Sequence, residues 1–370
     1  MNEEDVVLSD VHLRGSSVPG ATPISSATSP PLSATSMSTF EYKFDAESSD
    51  EDESIDERKA MRAPFKGCES DAEGDACVRR RRRSRRARIH VQHSLETPLR
   101  DVGLQVWRGA LVLGDFLEAN QALVRGATVL ELGCGCALSG LVAAKRAGHV
   151  FMTDAPLHVL ANAECNAELN LVHEKCSVRQ LDWCSTDTLL HGLRRHARHA
   201  TSEGAPQRST VDPAGSDEPA DCRRYSWREA DYARLTRCTL VLGADVVYDL
   251  PATGRLVKLL CELLLLLPPG ACALVALERR INFHMPSLSV RATAAEYFAA
   301  RLAAEAGASG ILHASRIPLN FAQRFQYERV KELDLWLIQR KEGNTLASIA
   351  RIAAPAAEER LRASSHFAPA

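Results

Sequence analysis

The chain has 370 residues, 45% of them hydrophobic and 25% charged, with a formal net charge of −2. That is apolar material for one large or two small domains, and the balanced charge gives no overall attraction to nucleic acid or to an anionic membrane. No run of about 18 uncharged apolar residues occurs, so no membrane-spanning helix is expected.

The start, Met1–Leu8, is acidic and unlike a secretory signal. Ser, Thr, Pro and Ala dominate Ser9–Phe40 without a sustained period, and Glu47–Glu57 holds seven acids. Residues 1–87 are therefore expected to lack a folded core of their own. Within and just beyond them, Arg79–Arg88 places eight arginines in ten residues. An import signal bound by an import receptor, a nucleic-acid tether and compositional drift all fit that run. The preceding acids are also placed to fold back on it.

Order is expected from about residue 88. Ile89–His93 alternates like a strand, and Trp107–Leu117 is apolar at helical spacing. Strands are predicted at Thr128–Leu132, His149–Thr153, Cys176–Leu181, Cys238–Asp245, Ala271–Glu278, Ile311–Ile317 and Leu333–Gln339. Helices are predicted at Leu138–Arg146, Pro156–Asn170, Thr253–Leu266 and Ala292–Ala306. The stretch 186–224, rich in Ser, Pro, Gly, Arg and His, reads as a disordered insertion. His191, His196 and His199 within it lack ligand-spaced partners and read as solvated. Residues 341–370 read as a tail. Eleven cysteines without a Cys-x-x-Cys pair are expected to be reduced thiols of an intracellular protein, and Cys134 and Cys136 to be small turn residues. No metal site is expected.

The informative stretch is Ala127–Asp154, a strand, a glycine turn, a helix and a strand ending on an acid. Gly133 and Gly135 allow a ligand close to the backbone, and Asp154 is placed to accept hydrogen bonds from ribose hydroxyls. A dinucleotide fingerprint wants a third glycine where Leu138 stands. Glu131, at the end of the first strand, would repel a pyrophosphate but suits a cationic ligand such as the sulfonium and ammonium of S-adenosyl-L-methionine. From the turn alone that cofactor, a dinucleotide and ordinary packing all remain open. A doubly wound α/β sheet binds ligands at strand carboxyl ends, and Glu131, Asp154, Asp182 and Asp245 all fall there.

With those residues in place, the chain resembles the seven-strand class I methyltransferases of the methyltransferase-like lysine methyltransferase family. The resemblance rests on Val106-Trp107-Arg108-Gly109-Ala110-Leu111, Leu130-Glu131-Leu132-Gly133-Cys134-Gly135, Thr153-Asp154, Leu181-Asp182-Trp183 and Ala244-Asp245-Val246-Val247-Tyr248-Asp249. It covers roughly residues 90–340 and implies a Rossmann-like sheet with helices on both faces. It further implies a protein-lysine N-methyltransferase that uses S-adenosyl-L-methionine on an intracellular substrate in the nucleus or cytoplasm. Gly133 and Gly135 would approach the methionine part of the cofactor, Asp154 the ribose, and Asp182 with Trp183 the adenine. Trp107 and Ala244 would line the pocket. Asp245 and Tyr248 would sit where the substrate amine enters. The chain departs from the family at Ala137, where a third glycine is usual. A small-molecule N-methyltransferase and a non-catalytic scaffold remain as alternatives. A nucleobase methyltransferase would be expected to carry Pro-Pro after the fourth strand, where this chain has Val246-Val247.

Overall fold

The computed structural model describes residues 6–9, 11, 35–45, 69–70, 76–77, 84–201, 223–284 and 288–341. Two compact units emerge, one formed by residues 1–40 and 89–370, the other by residues 41–88.

The first unit is built on one seven-stranded sheet. Its strands are β1 (Thr128–Leu132), β2 (His149–Asp154), β3 (Cys176–Gln180), β4 (Cys238–Ala244), β5 (Cys272–Glu278), β6 (Leu312–Ile317) and β7 (Leu333–Arg340). They lie in the order β6-β7-β5-β4-β1-β2-β3. Pairing is parallel from β3 to β5, while β7 runs antiparallel to both β5 and β6. The order reverses between β1 and β4, which opens a crevice at the carboxyl ends of those two strands. β1, β4 and β5 are apolar almost throughout because helices cover both faces of the sheet.

Among the described residues the helices packed on it include α1 (Arg108–Ala119), α2 (Leu138–Ala144), α3 (Leu157–Leu169), α4 (Asp187–Thr201), α5 (Glu229–Leu235), α6 (Leu250–Leu266) and α7 (Thr293–Ser309). α1 packs against α2 beside the start of the site. On the other face α4 packs against both α5 and α6, and α6 against α7. Their residues Leu193, Leu235, Leu260 and Phe298 share a core with Val241 and Val275. The acid after β4 sets where α6 begins: Asp249 is its N-cap and accepts from the Ala252 N–H at 2.7 Å.

β3 is an edge strand, and the chain covers it locally. The Gln180 N–H donates to the Tyr225 carbonyl at 2.8 Å, and the Trp227 indole donates to the Gln180 carbonyl at 2.9 Å. Trp227 then stacks between Phe151 and Tyr232. Pairing an otherwise open edge removes a template for aggregation.

Two expectations are corrected. The stretch 186–224 is not structureless throughout, because α4 occupies Asp187–Thr201. Leu189, Leu190 and Leu193 recur on one side of that helix and are buried, which outweighs its polar composition. Residues 202–222 lie outside the described set, as do 342–370. The region 1–87 also contains described strand. Thr35–Phe40 pairs with Ile89–Ser94, with Ser38 Oγ at 2.7 Å from His93 Nε2 and Phe40 edge-on to Phe325. Asn166 and Asn170 of α3 clamp the outer strand: their side-chain oxygens accept from the Gln92 and His90 N–H groups at 2.7 and 2.9 Å.

In the second unit, described by itself, residues 41–45 and 84–88 are strand, and Glu69–Ser70 pairs with Ala76–Cys77. Arg88 and Glu41 form an ion pair at 2.6 Å there. Arg79–Arg83 and the acidic run Glu47–Glu57 lie outside the described residues. Among the described residues no helix is long and apolar enough to cross a membrane.

Candidate functional site

A cavity of about 270 Å³ lies at the carboxyl ends of β1, β2 and β4. It brings together Trp107, Gly133, Gly135, Asp154, Asp182, Trp183, Ala244, Asp245 and Tyr248. These residues come from five separate stretches of sequence, and the sheet's topology is what gathers them.

The turn after β1 carries three consecutive left-handed positions at alternate residues: Gly133 (φ 65°), Gly135 (φ 51°) and Ala137 (φ 62°). At Gly133 a Cβ would stand 2.7 Å from Val246 and 3.3 Å from the Trp183 ring; at Gly135 it would stand 2.8 Å from the Gly103 carbonyl oxygen. Both glycines are thus required by conformation and by close approach. Ala137 adopts the same conformation with its methyl group fully buried, a strain that glycine would avoid.

Asp154 is fixed by the turn it faces. Its Oδ2 accepts from the Gly135 N–H and its Oδ1 from the Ala155 N–H, both at 2.9 Å. Burial raises its pKa against those two hydrogen bonds. A second lone pair on each oxygen remains for hydroxyl donors. Asp182 is exposed at the rim, its Oδ1 accepting from the Cys184 N–H at 2.8 Å, and Trp183 beside it is half-buried.

Asp245 lines the cavity and is fixed by two neighbouring elements. The residue itself is left-handed (φ 52°), a conformation Asp tolerates better than most side chains. Its Oδ2 accepts from the Gly109 N–H and its Oδ1 from the Glu278 N–H at 2.8 Å. The carboxylate therefore ties the first turn of α1 to the end of β5. Gly109 must lack a side chain for this, since a Cβ there would lie 2.6 Å from Asp245 Oδ2. Burial raises the Asp245 pKa, and the Gly109 and Glu278 amides oppose that rise.

Tyr248 is half-exposed at the mouth, and its pKa is raised by burial and then by the charges of Asp154 and Asp249. Trp107, the N-cap residue of α1, donates its indole N–H to the Val102 carbonyl at 3.0 Å. The Arg280 guanidinium lies over its ring at 4.6 Å from the centroid.

Glu131 is the predicted site residue that does not line the cavity. It is buried beneath the turn, where its Oε1 accepts from the Gly140 N–H at 3.1 Å. Burial, with Asp154 nearby, pushes its pKa up to about 8. Its Oε2 has no hydrogen-bond partner among the described residues. A Cβ on Gly140 would lie 2.3 Å from that oxygen, so this helical glycine lets α2 settle on the acid. Cys134 and Cys136 are buried, and burial raises both thiols well above their ordinary range, which leaves them unreactive.

Sequence reasoning assigned no role to Gly103, Gly109, Gly140 or Arg280. The three glycines stand in helical stretches where alanine is the better former, and that cost is the signal each one carries. Arg280 shows no such signal within its arginine-rich surroundings.

The reversal between β1 and β4, the antiparallel β7 and the turn with its strand-end acids define a seven-strand class I methyltransferase fold. A family model for lysine methyltransferases matches residues 88–193. Over 260 residues it is 35% identical to Methyltransferase-like protein 22 of Mus musculus and 32% identical to the Homo sapiens protein of the same name. The alignments take in 68% of this chain and 58% and 57% of those two relatives, so the chain spans somewhat over half their length. Protein-lysine N-methyltransferase EFM3 of Chaetomium thermophilum is 28% identical over 181 residues, 48% of this chain and 43% of that one.

Proposed function

We propose that the chain is a protein-lysine N-methyltransferase that uses S-adenosyl-L-methionine. The observation that carries this reading is the cavity, where a turn that tolerates no side chain at Gly133 or Gly135 faces Asp154, with Trp107 and Tyr248 at the entrance. The names of the relatives support the choice of a protein lysine as acceptor.

The residues present fit the cofactor. The cradle that a Cβ would fill suits the methionine part, Asp154 offers acceptors to ribose hydroxyls, and Asp182 with Trp183 offers an acceptor and a ring face to adenine. When bound, this cofactor supplies an electrophilic methyl group on a cationic sulfur. The leaving thioether needs no proton, so the protein's contribution is mostly alignment and exclusion of water.

The acceptor lysine must arrive neutral. With a reference pKa of about 10.4, that costs roughly 4–5 kcal/mol near pH 7. Desolvation between Trp107 and Tyr248 lowers the cost, because burial disfavours the ammonium. Tyr248 touches and orients the amine. Asp245 fixes the mouth through two backbone N–H groups, and the second lone pair on each oxygen can accept from the incoming ammonium as it docks.

Labelled cofactor incubated with the protein and a nuclear extract, followed by mapping of the label, tests this reading. Label on lysine is expected. Label confined to small molecules would establish the small-molecule alternative, and failure to bind the cofactor would favour a scaffold. A nuclear site of action is part of the proposal and rests on Arg79–Arg88 as the ligand of an import receptor. Deleting that run should move a fluorescent fusion out of the nucleus; an unchanged distribution would refute it.

A further inference from the structure

The site has two electrostatic layers. Its inner groups are acids, Asp154 and Asp245, whereas three exposed arginines stand around its opening. Arg100 and Arg255 line the cavity, and Arg280 covers the Trp107 ring. Among the described residues no carboxylate lies within ion-pair distance of Arg255 or Arg280, and Arg100 meets only its neighbour Asp101 at 3.7 Å. By contrast, Arg108 and Arg279 close by are committed to Glu278 and Asp334. Directly after Arg280 the chain forms a hairpin, Asn282–His284 with Ser289–Arg291. Around it Ile281, Leu288 and Val290 are 49%, 72% and 67% exposed.

On the reading of the site given above, we infer that the substrate is a protein segment whose acceptor lysine is flanked by acidic residues, with an apolar residue set against Ile281, Leu288 and Val290. The inner acids suit the cationic sulfur and the incoming lysine, while the outer arginines suit carboxylates on either side of it. Guanidinium groups at a partly desolvated rim bind carboxylates in bidentate fashion and steer their approach. A nucleic-acid partner fits less well. The hairpin presents the exposed apolar side chains of Leu288 and Val290, which suit a protein segment and not a phosphate backbone.

The test uses the full chain saturated with S-adenosylhomocysteine and labelled peptides of one length, each with a central lysine. The flanks are Glu, Ala or Arg, with one Leu held constant, and anisotropy is read at low and high salt. The Glu-flanked peptide should bind at least tenfold more tightly than the Arg-flanked one and weaken as salt rises. R255E/R280E should reverse that order with its unfolding midpoint unchanged, and R255Q should weaken the preference without reversing it. Equal affinities, a preference for Arg flanks or binding of none of the peptides would overturn the inference. Equally strong competition by an oligonucleotide of matched charge would overturn it in favour of nucleic acid. The label-mapping experiment separates the two levels: lysines labelled within neutral or basic flanks sink this inference alone, while absence of lysine label sinks the enzymatic reading.

Discussion

Replacing Glu131 with Gln should change how stability depends on pH. The folded-state pKa of Glu131 is about 8 against an ordinary value of 4.5, because the carboxyl is buried and its charge is hard to solvate there. A carboxyl raised in this way favours folding fully below 4.5 and loses that contribution as pH climbs toward 8. The gap of about 3.5 units corresponds to a ceiling of roughly 5 kcal/mol at about 1.36 kcal/mol per unit. Between about pH 5.5 and pH 8 the linkage integral gives a loss of roughly 3 kcal/mol in the native chain. Gln keeps an acceptor for the Gly140 N–H and does not titrate. Urea unfolding of both proteins at the two pH values measures the effect. The native chain should lose about 3 kcal/mol more than Glu131→Gln does across that interval. Other carboxyls with raised pKa values, Asp154 and Asp245 among them, are common to both proteins and cancel in the difference. Parallel pH profiles would refute the assignment of Glu131 as a buried, neutral support of the turn.

Asp154→Ala should abolish cofactor binding in calorimetry, and normal affinity would remove the ribose assignment. Gly135→Ala should do the same through the cradle, since its methyl group would meet the Gly103 carbonyl oxygen at 2.8 Å. Retained binding there would mean that the turn is not the cofactor's seat. Tyr248→Phe should lower turnover with cofactor affinity largely kept; unchanged turnover would reduce Tyr248 to wall. Asp245→Asn keeps a side chain tolerant of left-handed backbone but turns one of two charge-assisted acceptors into a donor facing an N–H. A loss of roughly 2–3 kcal/mol in unfolding free energy is expected, and a loss below about 0.5 kcal/mol would contradict the clamp.

The central strands β1, β2, β4 and β5 were legible because each is a short apolar run closed by Gly or an acid, and burial on both faces writes that pattern into local sequence. The seven runs predicted are the seven strands found, with ends shifted by a residue or so. α4 was missed because its polar residues outnumber its buried ones; only the spacing of Leu189, Leu190 and Leu193 carries the signal. The Thr35–Asp45 strand was missed although Phe40, Tyr42 and Phe44 alternate, since the surrounding Ser/Thr/Pro composition masks a period so short. At the site, sequence placed an acid at each strand end but could not say which way each carboxylate faces. That depends on where a neighbouring backbone comes close, and the markers of such approach, Gly140 for Glu131 and Gly109 for Asp245, lie 9 and 136 residues from the acids they serve.

Helix α1 ties the site to the segment before β7. At its start the Gly109 N–H holds Asp245, and Trp107 stands at the mouth. Nearly two turns further along the helix, the fully buried Asp115 accepts from the backbone of Arg324 and Phe325, from the Tyr327 hydroxyl and from Arg329 at 2.6–2.9 Å. Four donors on one carboxylate offset most of the cost of burying it, and they fix the 324–329 segment to the helix. Glu332, just beyond that segment, accepts through its carbonyl from the Arg279 N–H, next to Arg280. The β4 end, the β5 end and the segment before β7 therefore all reference their positions to one helix. A displacement of α1 by a fraction of an ångström would move Trp107 and Asp245 together, whereas Asp154 and the glycine turn are held from β1 and β2. Cofactor seat and substrate mouth are thus carried on different supports. A variant that disturbs α1 should cost turnover before it costs cofactor affinity, because methyl transfer depends on the alignment of the two halves and binding depends on only one of them.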